Sequence, residues 1–353
     1  MTRSPKDQAR LAAEHSLAEK LMDLPIAALS EAGLIVRSYR AQVLKISKSR
    51  PILRYDVACF DDREDAIVRK VIVGKGCYRH DGARTFEFMR QLWSQGFSED
   101  ALLTIPEPIA YVPELKLLLQ GWAPGDALYA YIDDPAVASE PVTLAARWLA
   151  KMHRTRLRGV PVLPLEYEET KLRTYRNVLM QICPESAERI ERVAWRILAS
   201  LEALDSRQFV PTHGDFQPKN VCVLRDRVTV IDFDRFALAH PARDLGHFIG
   251  QSMTMSYVRT GSFKEIEPWN AAFLDGYAQV ASPEALSALP VFVARTFMEV
   301  LKHKVFLDPA KNTHLVPAWL DECERWLERS PTTETLPGEA GSSGVHEYMS
   351  EGG

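Results

Sequence analysis

The hydrophobic pattern changes period along this chain. Leu11, Ala12, His15, Ala18, Leu21 and Met22 recur at helical spacing and predict a helical segment over residues 5–32. The pattern then becomes strand-like at Leu34–Val36, Val43–Ile46, Ile52–Phe60 and Ile67–Val73. Ala83 to Trp93 returns to helical spacing, with Phe86, Met89 and Trp93 on one face. Leu117-Leu-Leu-Gln-Gly-Trp-Ala-Pro-Gly125 reads as a buried strand entering a breaker-rich connector. Beyond it the pattern predicts helices over 141–156, 167–205 (broken near Pro184), 268–280, 283–306 and 316–329, with one β-hairpin inserted near 221–231. Strands first and helices afterwards predict an α+β fold rather than alternating α/β. The implied organisation is a helical segment at 1–33, a small β-rich lobe at 34–120, a larger helical lobe at 121–330, and a polar, breaker-rich tail at 331–353 expected to be disordered.

Composition narrows the function classes. The 353 residues carry 46% hydrophobic side chains, enough for a sizeable core. Net charge is −4, from 43 basic and 47 acidic residues, which gives no general drive toward nucleic acid or an anionic membrane. No apolar run approaches a membrane span, and the N-terminus lacks the apolar region of a signal peptide. Five cysteines, at 59, 77, 183, 222 and 323, form no Cys-x-x-Cys motif and suggest no disulfide framework or zinc site. A reducing cytoplasm is the expected setting.

The candidate chemistry lies in His213-Gly-Asp-Phe-Gln-Pro-Lys-Asn220, followed eleven positions later by Ile231-Asp-Phe-Asp234. An isolated Asp in a turn is normally a cap or turn former, so it is the spaced combination that carries the reading. Val221–Leu224 and Val228–Ile231 read as two strands of a hairpin around Arg225-Asp226-Arg227. Pairing Leu224 with Val228 sets Asn220 opposite Asp232, close enough to share one ion. A three-residue turn favours glycine, which this one lacks, and a slip of one residue would offset the pair. An amide and a carboxylate oxygen suit Mg²⁺, which takes its remaining ligands from water and phosphate. Asp215 would orient an acceptor hydroxyl while the metal holds ATP. Asp234 either touches metal or acceptor or only shapes the loop, and His213 is expected to brace the loop by hydrogen bonds.

These residues resemble the aminoglycoside phosphotransferase and choline kinase-like family, a small-molecule branch of the two-lobed protein-kinase-like fold. The similarity runs from about residue 40 to 325 and is specific over 211–250. It implies that Asp215 is the catalytic aspartate and that Asn220 and Asp232 are the metal ligands. Asp244, in Pro241-Ala-Arg-Asp-Leu-Gly246, matches the aspartate that braces the catalytic loop. Leu149-Ala-Lys-Met-His153 resembles the end of the family helix that closes in a Leu-His-like pair. The commonest family motif is His-Gly-Asp-Leu-His-Pro-Gly-Asn; Gln217 and Lys219 depart from it. Gln217 replaces the phosphate-contacting Lys of protein kinases, which argues against that subclass. ATP and Mg²⁺ are the implied cofactors, and a small molecule bearing a hydroxyl is the implied partner.

The kinase template also needs a strand lysine and a helical glutamate. Lys75 with Glu87 is the expected pair, with Lys70 as the alternative lysine. Gly74-Lys75-Gly76 is not a Walker A loop, because Arg69 and Gly76 stand where glycine and Ser/Thr are required. Ser47-Lys-Ser-Arg50 would cover the phosphates or form a plain polar turn, and backbone groups near Gln120 to Trp122 would meet the adenine. Candidate acids in the helical lobe are Asp234, Glu267, Asp275, Glu299, Asp321 and Glu324, which as a cluster would suit an amine-bearing acceptor and singly read as solvated surface residues. Trp148, Trp269 and Trp319 would form a cation cage or, the better reading, pack in the core. The rival readings are a protein kinase, a nucleotide-binding regulator without catalysis, and an accidental motif.

Overall fold

The computed structural model describes residues 16, 19–23, 25–46, 50–61, 65–98, 100–134, 139–281 and 283–329. Most of the expected first helix, the 47–49 part of the polar turn and the 331–353 tail lie outside them. The first half builds a five-stranded antiparallel sheet from β1 (Leu34–Lys45), β2 (Ile52–Asp61), β3 (Ala66–Gly76), β5 (Pro108–Val112) and β6 (Leu117–Gly121), in the order β1-β2-β3-β6-β5. Two runs were expected where β1 is a single strand. Its centre, Arg37 to Arg40, is largely exposed at the sheet edge, so it carries no apolar signal; the β2 ladder keeps it extended.

Alternation along β6 assigns the faces of this sheet. Leu117 and Leu119 join Leu53, Tyr55 and Ile72 in a small core, while Leu118 points the other way, into the main core. Lys75 lies directly opposite Leu118 and so shares its face. On that face helix α2 (Gly82–Leu92) buries Phe88, Met89 and Leu92, and its N-cap Asp81 accepts from the Arg84 N–H.

The second half is helical: α3 (Ser139–His153), α4 (Leu165–Ile182), α5 (Ala187–Glu202), α6 (Ala242–Thr260), α7 (Glu267–Ala278), α8 (Leu289–Leu307) and α9 (Val316–Glu328). A short helix, Ile26–Glu31, precedes the sheet as α1. The break between α4 and α5 falls where Pro184 disfavours helical geometry at Cys183, whose φ of −127° ends α4. Helix α6 has no counterpart in the hydrophobic pattern. Thirteen of its nineteen residues are buried, and polar Arg243, Asp244, His247 and Ser252 are among them, so no apolar stripe marks it. Gly246 and Gly250 let α6 lie directly against α8, where a Cβ would meet Phe292 at 2.5 Å or Thr296 at 2.7 Å. Among the described residues no helix is long and apolar enough to cross a membrane.

The hairpin is not the only β insertion in this half. Its strands β9 (Val221–Leu224) and β10 (Arg227–Val230) join β4 (Leu103–Thr104) and β7 (Asp126–Ala127) in a four-stranded sheet ordered β4-β10-β9-β7. β8 (Val210–Thr212) and β11 (Ala237–Ala239) form a separate pair. Loop 213–220 connects β8 to β9.

Candidate active site

Loop 213–220 leaves β8 and is held by α6. The buried Asp244 carboxylate accepts from the His213 N–H at 2.6 Å and the Gly214 N–H at 2.8 Å, and contacts His153 Nε2 at 3.2 Å. His153 Nδ1 in turn meets the Tyr277 hydroxyl at 2.8 Å. Burial works against the Asp244 charge, but the His153 bond and the nearby His213 and Arg243 hold its carboxyl below the usual range. The His213 ring is fully buried beside Phe233. Its Nδ1 accepts from the Asp215 N–H, so Nε2 carries the proton and donates to the Ile231 carbonyl at 3.0 Å. Burial depresses its pKa, consistent with a neutral ring that ties loop to hairpin. Gly214 is required for two reasons: its φ is +79°, and a Cβ would lie 2.1 Å from the Arg235 carbonyl.

Asp215 faces a ring of donors. His247 Nε2 lies 3.1 Å from Oδ1, the Gln217 amide donates to Oδ1 at 3.2 Å, and Arg235 Nη1 stands at 3.6 Å. Burial pushes the carboxyl up, but the His247 bond, with Arg235 behind it, holds it well below the ordinary carboxylate range. A carboxylate so weakly basic is suited to orienting a hydroxyl more than to removing its proton outright. Sequence reasoning missed His247. The signal was available: His247 is three residues from Asp244 on one helix, so both face the loop.

The hairpin is shifted by one residue from the expected register. Val223 pairs with Val228 and Val221 with Val230, which puts all four buried valines opposite one another. The expected pairing would set Leu224, 45% exposed, against buried Val228. The turn is therefore two residues, with Arg225 at φ +55°. Asn220 lies opposite Ile231, whose N–H donates to its carbonyl at 2.9 Å, and not opposite Asp232. The Asn220 side-chain amide instead donates to the Asp215 carbonyl at 2.9 Å and approaches Asp215 Oδ2 at 3.4 Å. Asp232 follows with φ +74°, a left-handed backbone that an Asp side chain tolerates. Such strain clusters at functional sites.

Lys75 reaches both acids of Asp-Phe-Asp, with Nζ 2.5 Å from Asp232 Oδ1 and 2.8 Å from Asp234 Oδ1. Burial disfavours the ammonium, yet Asp232 and Asp234 together raise its pKa above the usual lysine value. The expected Lys75–Glu87 pair is not formed. Glu87 sits on the outer side of α2, 56% exposed, with Arg90 3.6 Å away and the Gln91 amide at 3.4 Å. Lys70, five residues from Lys75, projects from the opposite face of β3 toward Glu107, at 3.8 Å. Arg50 adds a second cation, 3.6 Å from Asp232 and 3.3 Å from Asp234, and His80 Nε2 lies 3.1 Å from Asp234 Oδ1. Burial opposes the Asp234 charge, but His80 and Lys75 hold its carboxyl well below the usual range.

A divalent ion fits this donor set. Asp234 Oδ2 is buried with no hydrogen bond, only Arg50 Nε standing 3.3 Å away, Asp232 is partly open, and all the candidate donors are hard oxygens. Among the described residues no group of three His, Cys, Asp or Glu side chains is placed to hold a metal.

At the connector, Gln120 lies in β6 opposite Val73, and Trp122 is 41% exposed with Arg54 over its ring at 5.2 Å. The Gly121 and Trp122 N–H groups donate to the Glu107 and Val71 carbonyls at 2.8 and 3.1 Å. Those two donors serve the sheet.

A cavity of about 650 Å³ opens on the other side of Asp215, walled by α4, α6 and α8. Of the six expected acceptor acids only Glu299 lines it. Asp321 and Glu324 bind Arg189 at 2.6 and 2.7 Å, and Asp234 belongs to the Lys75 cluster. Trp148, Trp269 and Trp319 are fully buried and pack in the core; Trp148 stacks on Phe216 of the loop.

The sequence model of the phosphotransferase enzyme family (APH) matches residues 61–289, well over half the chain. The chain belongs to this family. No curated protein matches it in sequence. Among solved structures it resembles a choline/ethanolamine kinase family protein from Mesorhizobium loti, at 14% identity and TM-score 0.58, covering 90% of this chain and 96% of that one. Amicoumacin kinase hAmiN, solved with AMP-PNP, Ca²⁺ and Ami, matches at 16% identity and TM-score 0.57 over 92% and 96%. A putative aminoglycoside phosphotransferase from Ralstonia eutropha matches at 12% identity and TM-score 0.57 over 87% and 98%. The shared fold is the two-lobed kinase-like one.

Proposed function

We propose that the protein transfers a phosphoryl group from ATP to a hydroxyl of a small molecule in a Mg²⁺-dependent reaction. The sheet side (34–120) takes the nucleotide and the helical side (121–330) takes the acceptor, in a cytoplasmic setting that supplies ATP. One observation carries this reading. Asp215 lines the acceptor-sized cavity and, through Asn220 and the hairpin, is tied to the Lys75–Asp232–Asp234 cluster. Family membership and the AMP-PNP in the amicoumacin kinase support it.

In this account Lys75 and Arg50 hold phosphate oxygens, and Asp215 orients the acceptor hydroxyl with His247 fixing its carboxylate. Asn220 and Asp232 would hold the ion, with Asp234 beside them. Bound there, Mg²⁺ neutralises phosphate charge and orients the transferred group. Asp244 and His213 keep the loop in place, and the core stack of Phe216 on Trp148 anchors it from below. The test is ATP consumption over a broad panel of hydroxyl compounds, with and without EDTA. Turnover that needs both an acceptor and Mg²⁺ is expected; ATP binding without turnover across the panel would contradict the proposal.

A further inference from the structure

The walls of the acceptor cavity are cationic. Its two acids are already neutralised: Arg235 lies 3.6 Å from Asp215 and 3.4 Å from Glu299, and Arg295 lies 2.5 Å from Glu299. Behind them Glu168 takes Arg295 at 2.6 Å and Arg243 at 3.2 Å. The network therefore balances three carboxylates with three guanidinium groups, Arg295 and Arg243 buried and Arg235 exposed. Lys171, Lys219, Lys302 and Lys304 line the same cavity in addition. Among the described residues none of the four has a carboxylate within ion-pair distance; Lys219 instead lies over the Tyr129 ring at 4.9 Å. Lys304 is half-buried, and burial, with the repulsion of Lys219, lowers its pKa. Lys75, Arg50, Asp232 and Asp234 do not line this cavity, so its lysines are separate from the nucleotide cluster.

Two neighbouring ammonium groups without a carboxylate partner, in the cavity that Asp215 also lines, form a receptor for an anion. We propose, building on the kinase reading above, that the acceptor is an anionic alcohol. Its hydroxyl meets Asp215, and its carboxylate or phosphate group is held by Lys219 and Lys304, with Lys171 and Lys302 on the same walls. A polyamine acceptor would face four uncompensated positive charges.

The experiment is calorimetric binding to the full chain of scaffold-matched probes. One series is glucosamine, glucose, glucuronate and glucose 6-phosphate; the other is ethanolamine, glycerol, 3-hydroxybutyrate and glycerol 3-phosphate. An anionic member of at least one series is expected to bind about tenfold or more tighter than its neutral and cationic counterparts, as charge-assisted bonds imply. The carboxylate and phosphate arms decide which anion is preferred. In the Lys219→Ala/Lys304→Ala double variant, checked for an unchanged melting temperature, that margin should fall below about threefold. Tightest binding by an amine, no binding by any probe, or a margin that survives in the double variant would each overturn the proposal. ADP release is read separately. Turnover on amines alone would leave the kinase reading standing and sink the anionic acceptor, whereas lysine-dependent anion binding without phosphoryl transfer would do the reverse.

Discussion

Removing the Asp244 carboxylate tests what holds the catalytic loop. In Asp244→Ala the N–H groups of His213 and Gly214 lose acceptors at 2.6 and 2.8 Å, and His153 loses one at 3.2 Å. Each buried donor left unsatisfied costs about 1–3 kcal/mol. Against this stands the relief of no longer burying a carboxylate, itself several kcal/mol. The net expectation is a loss of about 3–5 kcal/mol, the range for breaking a buried pair. That is a large part of a typical domain's stability but leaves the chain folded at 25 °C. Asp244→Asn keeps one acceptor oxygen but turns an amide N–H toward the loop, so a smaller loss is expected. Urea unfolding followed by tryptophan fluorescence suits the question, because Trp148 is buried against Phe216 of the same loop. Turnover should fall with stability, since the loop that carries Asp215 loses its anchor. An Asp244→Ala protein within 1 kcal/mol of the parent and with turnover within about twofold would refute the bracing role.

The lysine contacts make a second test, because they reverse an expectation. Lys75→Met should weaken nucleotide binding about tenfold or more by removing a charge-assisted partner, whereas Glu87→Ala, at an exposed position, should leave it within about twofold; equal losses in a fluorescent-nucleotide titration would restore the Lys75–Glu87 pair. Acid should destabilise the fold. Asp215, Asp234, Asp244 and Glu299 are all held below their ordinary pKa values by cationic or histidine neighbours. Their contribution is complete above the unfolded carboxylate range near pH 4 and is lost as pH falls from there through the folded values. The melting temperature should thus begin to fall below about pH 6.5, where unfolded His213 takes a proton that its buried form resists, and drop more steeply below about pH 4; a flat profile down to about pH 3 would deny these groups their native partners.

Much of the fold was legible because period and element order are local signals. The strand-rich first half, the helical second half and the break at Pro184 all follow from them. The register of the hairpin was not legible, since Arg225-Asp226-Arg227 allows either a two- or a three-residue turn and only the mutual burial of Val221, Val223, Val228 and Val230 decides. Helix α6 was invisible for the opposite reason: buried all round, with polar residues serving the loop, it shows no amphipathic stripe. The motif residues could be named from their spacing, but their partners could not. Lys75 reaches Asp232 and Asp234 across 157 and 159 positions of sequence, and His247 reaches Asp215 across 32. Such contacts depend on how the sheet sits over the loop. Of the acids considered for an amine-bearing acceptor, Glu299 lines the cavity, whereas Asp321 and Glu324 pair with Arg189 through contacts that spacing along the chain does not reveal.

The most direct test of the account separates acceptor chemistry from nucleotide binding at one residue. Asp215→Asn should lower turnover by about 10²–10⁴-fold, the usual contribution of a positioned acid–base group, while the Kd for ATP with Mg²⁺ stays within about twofold of the parent. Loss of nucleotide affinity with turnover of the bound complex intact would contradict it, because Asp215 would then belong to the nucleotide and not to the incoming hydroxyl.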